Sequence, residues 1–403
     1  MTDSSLRTTG LPAGRPALER CISVPVADFP WGRRPLLSTG LGFGDLFGLD
    51  DVDELLTRRG LRTPFIRLAK GGEVIDPRRY TSSGGAGAEI ADQVDDERVT
   101  RLFLDGATIV LQALHRTWPP LVDFGQQLAA DLGHPVQINA YVTPPQNQGF
   151  SAHYDVHDVF VLQVAGEKQW RIHAPVLTDP LRNQPWNSRA ASVAARASEE
   201  PVIDTVLRPG DALYLPRGWL HSATSLGETS VHLTVGVHPV TRHSLVEVLA
   251  GLAAEDPSLR ESLPLGFDPT DPSLLAGAVD ALSSWLRTVD ADAVADRLRE
   301  RVWPQGRSEP VSPLAQERIV SSLTADTPVR LRGFLPHTVD VRADGVVLRL
   351  PDRTLTLPAV TAAAMKTVLS GTVVRAAELP DLDADDGLVL IRRLLREALV
   401  VPA

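Results

Sequence analysis

Ser151-Ala-His-Tyr-Asp-Val-His-Asp-Val-Phe-Val-Leu-Gln-Val-Ala-Gly-Glu-Lys-Gln-Trp-Arg-Ile-His173 is the stretch on which the fold turns. Val159 to Val164 reads as a buried strand, Gly166 as a turn, and Lys168 to His173 alternates, so the segment predicts an antiparallel hairpin. Just before it, His153 and Asp155 stand two apart, and in extended backbone both leave the same face. A third ligand must come from a distant strand. Leu213-Tyr-Leu-Pro-Arg-Gly-Trp-Leu-His221, an apolar strand running into a Pro/Gly turn, offers His221. Two imidazoles and one carboxylate on one side of an octahedral ion leave its other positions open, the pattern of non-haem Fe(II) oxygenases. Taken alone, an HxD pair is better explained by two solvated residues on a strand edge; the strands around it reverse that reading.

Lys168 stands at the mouth or wall of the predicted barrel, where an unpaired ammonium is costly unless an anion meets it. A dicarboxylate co-substrate is such an anion. Only Lys70, Lys168 and Lys366 are lysines among the 40 basic residues, so a compact point charge at 168 departs from this chain's preference for arginine.

Asn139-Ala-Tyr-Val-Thr-Pro-Pro-Gln-Asn-Gln-Gly-Phe-Ser-Ala-His-Tyr-Asp155, Gly166-Glu-Lys-Gln-Trp-Arg171 and Gly210-Asp-Ala-Leu-Tyr-Leu-Pro-Arg-Gly-Trp-Leu-His221 together closely resemble the Jumonji-C cupins of the ribosomal oxygenase group, Fe(II)- and 2-oxoglutarate-dependent protein hydroxylases. The resemblance implies that His153, Asp155 and His221 hold iron, that Lys168 binds the distal carboxylate of 2-oxoglutarate, and that Asn139 and Tyr141 line the co-substrate pocket. It further implies O2 as the oxidant, a homodimer, and a ribosomal protein as substrate, modified on histidine or arginine.

The chain has 403 residues, 43% of them hydrophobic, enough for two or three packed domains. No apolar run is long enough for a transmembrane helix and the first residues lack an apolar signal core, which leads us to expect a cytoplasmic protein without membrane contact. Cys21 is the single cysteine, so neither an internal disulfide nor a thiolate metal cluster is available. A net charge of −10 argues against direct DNA binding and suits a basic protein partner, although ordinary solubility explains it equally well. Tyr80-Thr-Ser-Ser-Gly-Gly-Ala-Gly-Ala is a loop without the Lys-Ser/Thr ending of a phosphate cradle, which excludes that mode of nucleotide binding.

The expected fold is mainly β with α: a double-stranded β-helix, or jelly-roll cupin, followed by a helical dimerisation module and a winged-helix domain. Residues 1–20 are expected to be a flexible tail and 21–240 the catalytic domain. The helical module is set at 241–304, a linker and connecting helix at 305–324, and the winged-helix-like part at 325–403. Within the catalytic domain, strands are expected at 107–112, 136–142, 202–207, 212–215 and 230–238, and a helix at 119–132. Asp45-Leu-Phe and Asp51 to Leu56 look like short helices, and Leu177 to Glu200 is read as an irregular insert. Phe29-Pro-Trp-Gly-Arg-Arg-Pro-Leu-Leu37 is read as a packing motif closing one end of the barrel, and Trp186 as either a substrate contact or a loop anchor.

His157 shares the face of His153 and Asp155 in a straight strand, unless a bulge or turn removes it. His232 and His238 lie an even number of positions apart on the last long strand and can both face the cavity; His232 is a candidate co-substrate contact, with a core histidine as the alternative. Two other functions fit the same motifs, a tailoring hydroxylase for a peptide or other natural product and a metal-binding cupin without catalysis.

Overall fold

The computed structural model describes residues 16–87, 89–148, 150–263 and 265–403. The chain divides into two compact units at Pro239 and Val240. The first unit opens with β1 (Leu36–Ser38), α1 (Leu49–Arg58), β2 (Ile66–Lys70), β3 (Glu73–Val74), β4 (Thr81–Ser82) and β5 (Gln93–Val94). Next come α2 (Asp96–Leu104), β6 (Thr108–Leu111), α3 (Leu114–Thr117), α4 (Pro119–Leu132) and β7 (Val136–Thr143). It closes with β8 (Asp158–Ala165), β9 (Lys168–His173), α5 (Ala190–Ala197), β10 (Ile203–Leu207), β11 (Ala212–Leu215), β12 (Leu220–Ser225) and β13 (Ser230–Val237).

The larger sheet runs β1-β11-β8-β13-β7-β6-β2-β3, and a second sheet runs β10-β9-β12. Two antiparallel sheets with a shared interior are the jelly roll expected of a cupin. Strand β8 is buried on both sides, which is why its sequence is continuously apolar. Phe160 and Leu162 enter the core shared with the helices, and Val159 and Val161 meet Trp170, Ile172 and Leu207 of the second sheet.

The predicted hairpin does not form. β8 pairs with β11 and β13, whereas β9 pairs with β10 and β12 in the opposing sheet. Gly166 marks a crossing between sheets instead of a hairpin turn. Its φ is +61, and a Cβ there would lie 2.3 Å from the Thr229 carbonyl oxygen, so both the left-handed backbone and the close approach require glycine.

Other expectations meet the structure unevenly. α4 has the expected bounds because Pro119 and Pro120 open it and Gly133, at φ +67, ends it. α2 and α5 were not expected, and α5 turns part of the irregular insert into a helix that buries Val193. Asp45-Leu-Phe is a turn. Of the expected tail, residues 1–15 lie outside the described residues. Ala17 and Leu18 are buried, and the Leu18 amide donates to Asp131 at 2.9 Å, so the packed body begins ahead of residue 21. The 29–37 segment packs as expected. Trp31 stacks on Tyr214 and on His134, and the Gly32 amide donates to the Tyr214 hydroxyl at 2.8 Å.

The second unit contains α6 (Arg242–Ala253), α7 (Pro272–Leu286), α8 (Ala291–Val302) and α9 (Pro313–Ser322). After them come β14 (Val329–Leu331), β15 (Thr338–Arg342), β16 (Gly345–Arg349), β17 (Thr354–Leu357), α10 (Ala362–Leu369), α11 (Ala384–Arg396) and β18 (Val400–Pro402). Strands β15 to β17 form a three-stranded meander and β14 pairs with β18. Val346, Leu348, Met365, Ile391 and Leu394 build their common core.

Candidate metal centre and co-substrate cavity

The alternation of β7 and β13 decides what enters the space between the sheets. Tyr141 lies opposite His232, and His232 opposite Gln163. The Tyr141 and His232 rings stack at 5.0 Å with an interplanar angle of 5°, and Trp170 from the second sheet meets His232 edge-on at 5.4 Å. From β12, His221 comes within 6.1 Å of the same indole.

His153 and His221 are joined through their backbones. The His153 amide donates to the His221 carbonyl at 3.2 Å, and the His221 amide to the His153 carbonyl at 2.9 Å. This bridge brings the two rings to 4.5 Å, and the Asp155 carboxylate lies 3.7 Å from His221 Nε2. One donor atom from each of His153, Asp155 and His221 falls within 4.8 Å of the other two, a spacing from which a single cation reaches all three.

Hydrogen bonds set the ring tautomers. His153 Nδ1 lies 2.7 Å from the Ser151 carbonyl and His221 Nδ1 lies 3.2 Å from the Trp219 carbonyl. A carbonyl only accepts, so each Nδ1 carries the proton and each Nε2 keeps its lone pair for a metal. Burial and neighbouring His153 lower the pKa of His221 to about 4, only partly opposed by Asp155. Burial works against ionisation of Asp155, but His157, His221, His153 and Arg67 outweigh it and hold the carboxyl below its usual range. Two imidazoles that present Nε2, together with a carboxylate, are the donor set a divalent cation requires, so the residues fit the ion.

Lys168 is 3% exposed. It lies inside the barrel, deeper than the mouth or wall expected for it, and Nζ donates to Thr143 Oγ1 at 3.0 Å. Burial alone pulls its pKa down to about 7. An ammonium that has lost its water and gained only a hydroxyl is a site prepared for an anion. His232 is also buried, with Nδ1 lacking a hydrogen-bond partner. Burial, Lys168 and His221 all push its pKa well down, so this ring stays neutral. Asn139 is half-buried; its Oδ1 accepts the Ala113 amide at 3.0 Å and braces that residue at φ 58.

Neither His157 nor His238 belongs to the three-donor cluster. The chain before β8 is a bend, which breaks the two-residue alternation, and the His157 ring lies 5.2 Å from His238. Trp186 packs beside Tyr154, Val193 and Leu220 while standing 6.3 Å from His153, so the loop anchor is also a neighbour of the metal ligands. The sequence reading missed Arg67 on β2, whose guanidinium lies 5.3 Å from the centre of the Phe150 ring. The signal was present: a lone arginine in the apolar run Phe65-Ile-Arg-Leu-Ala69.

A jelly roll with an open face of two histidines and one carboxylate defines a metal-site cupin. More specifically, residues 123–245 match the family described as JmjC domain. Similar proteins include the "Bifunctional lysine-specific demethylase and histidyl-hydroxylase NO66" of Drosophila persimilis, 39% identical over 137 residues, which are 32% of this chain and 19% of that protein. "Ribosomal oxygenase 1" of Rattus norvegicus is 29% identical over 308 residues, covering 74% of this chain and 48% of that protein. The chain thus spans less than half the length of these curated relatives. Among solved structures, the Escherichia coli ribosomal oxygenase YcfD shares the fold with a TM-score of 0.55 at 18% identity, covering 95% of this chain and 99% of that one. A second structure of YcfD, in complex with cobalt and 2-oxoglutarate, gives a TM-score of 0.53 at 18% identity over 94% and 98% of the two chains. No helix among the described residues is long and apolar enough to cross a membrane.

Proposed function

We propose that this protein is an Fe(II)- and 2-oxoglutarate-dependent oxygenase that hydroxylates a side chain of a basic protein, namely a histidine or arginine of a ribosomal protein. The observation that carries this reading is the pairing, in one interior, of a three-donor metal face with a buried lysine whose hydrogen-bond partner is a hydroxyl. Bound there, Fe(II) with 2-oxoglutarate and O2 supplies insertion of one oxygen atom into a C–H bond, with succinate and CO2 as co-products. The protein's own share is positional. His153, Asp155 and His221 hold the ion on one side. Lys168, steadied by Thr143, takes the far carboxylate of the co-substrate, while Tyr141, His232 and Trp170 wall the cavity and exclude water. The net charge of −10 complements a basic substrate and speaks against nucleic acid. A cytoplasmic location belongs to the same proposal, because ribosomal proteins are made there.

The test is incubation of the Fe(II)-loaded protein with 2-oxoglutarate and intact ribosomal proteins, read by mass spectrometry. One ribosomal protein is expected to gain one oxygen atom with formation of succinate; neither change in any protein would discard the proposal.

The homodimer and the winged-helix assignment of the last part are carried by the same reading. α7 is rich in Leu, Ala and Val, yet Leu275, Val279, Leu282 and Leu286 are exposed, a face that a second copy would cover. Val279→Asp is expected to convert a dimer to a monomer in light scattering. A wild-type mass of one chain would remove the dimer from the proposal.

A further inference from the structure

Arg67 occupies a position for which the roles assigned so far have no use. Strand register places it opposite Val110, Val110 opposite Tyr141, and Tyr141 opposite His232, so all four lie in one row on the inner face of the larger sheet. Neighbouring strands are about 4.8 Å apart, and the long side chain reaches past Val110 to hydrogen-bond the Tyr141 hydroxyl. Phe150 covers its guanidinium at 5.3 Å, and Phe150 is itself 6.2 Å from the His153 ring. Nε of Arg67 is buried without a hydrogen-bond partner.

A half-buried guanidinium usually meets a carboxylate, because its planar fork fits one bidentately. The carboxylate whose field Arg67 shares is Asp155, and Asp155 is committed to the metal face. Phe150 and Tyr141 offer a ring and a single hydroxyl, which hold the guanidinium in place without neutralising it. Lys168, held by Thr143, already provides the charge for the co-substrate's far carboxylate. What remains is the space beside the metal face, where the side chain to be oxidised must lie.

We propose that Arg67 is a specificity-determining residue: its guanidinium donates to an acceptor atom of the side chain being oxidised and keeps cationic side chains out. The proposal rests on the oxygenase reading above, and it narrows that reading. A side chain carrying a neutral or anionic acceptor enters, whereas a guanidinium or ammonium meets like charge in a site with little water to screen it. Loss of such a charge-assisted hydrogen bond weakens binding about ten- to hundred-fold.

The test uses the full chain loaded with Zn(II) and 2-oxoglutarate, which does not turn over, and two small probes followed by saturation-transfer NMR: propionamide and methylguanidinium. Wild type is expected to bind propionamide and to ignore methylguanidinium. Arg67→Met should lose propionamide at least tenfold, Arg67→Lys should retain part of it, and Arg67→Glu should gain methylguanidinium. Failure of wild type to bind propionamide, binding of methylguanidinium to wild type, or equal propionamide binding by wild type and Arg67→Met would each overturn the assignment. The preference of wild type needs no variant, so misfolding of one leaves the assignment open to refutation. The parent reading fails differently. Oxygen located on an arginine or lysine by tandem mass spectrometry sinks the role of Arg67 but keeps the oxygenase, whereas no oxygen in any ribosomal protein removes the oxygenase itself.

Discussion

Replacing Lys168 by methionine is expected to make the protein more stable and to disarm it. Burial has moved this lysine from 10.5 to about 7, and at 1.36 kcal/mol per unit such a shift costs the folded state on the order of 4 kcal/mol at pH 7. The penalty is present in full below about pH 7, where both folded and unfolded chains hold the proton. It fades as pH rises toward 10.5, because there the unfolded chain still binds a proton that the folded chain has released. Wild type without co-substrate should therefore gain stability between pH 7 and 10.5, and Lys168→Met should show a higher unfolding midpoint with no such rise. The same change removes the anchor for the dianion. Loss of charge-assisted hydrogen bonds of about 1.5–3 kcal/mol predicts a rise in KM for 2-oxoglutarate of roughly ten- to hundred-fold. In wild type the dianion selects the protonated lysine, so its dissociation constant should climb up to tenfold per unit above pH 7 and stay flat below. A Lys168→Met protein with unchanged KM and unchanged stability would refute both assignments.

Removing a metal ligand is expected to have the larger effect on turnover. His153→Ala or Asp155→Ala should weaken Co(II) binding, followed by its visible absorption, by more than about a hundred-fold, since loss of a supporting hydrogen bond around a ligand already costs ten- to a hundred-fold. Succinate formation should disappear with it. The fold should survive, because His153 and Asp155 are only half-buried and the backbone bridge of His153 to His221 does not depend on the side chains. Co(II) spectra and succinate yields like those of wild type would mean that the metal lies elsewhere.

Much of this was legible in the sequence because the relevant patterns are local. The two-residue spacing of His153 and Asp155, the Pro/Gly turn ahead of His221, and the proline entry and glycine exit of α4 all express short-range geometry. What escaped was set by distant partners. The hairpin expected at Gly166 failed because strand alternation says which residues share a face but nothing of which strand lies alongside. α5 was hidden because Ala190-Ala-Ser-Val-Ala-Ala-Arg-Ala197 sits in a segment whose polar flanks read as loop. Arg67 was overlooked because its meaning depends on Tyr141 and Phe150, 74 and 83 positions further along the chain. His232 was read as a candidate co-substrate contact, and its burial against Tyr141 and Trp170 became visible only when the two sheets faced each other.

The crossing at Gly166 also governs when the cavity comes into being. Lys168 is aligned with Leu207 on one side and Ser225 on the other, and His153 is tied to His221. The segment 153–168 carries His153, Asp155 and Lys168, but His221 comes from more than fifty positions further along, so loop closure over tens of residues must precede a complete metal face. A nascent or cleaved chain would thus have neither an assembled metal face nor an anchored co-substrate. On the proposed function, oxygenase chemistry would therefore wait until both sheets have met.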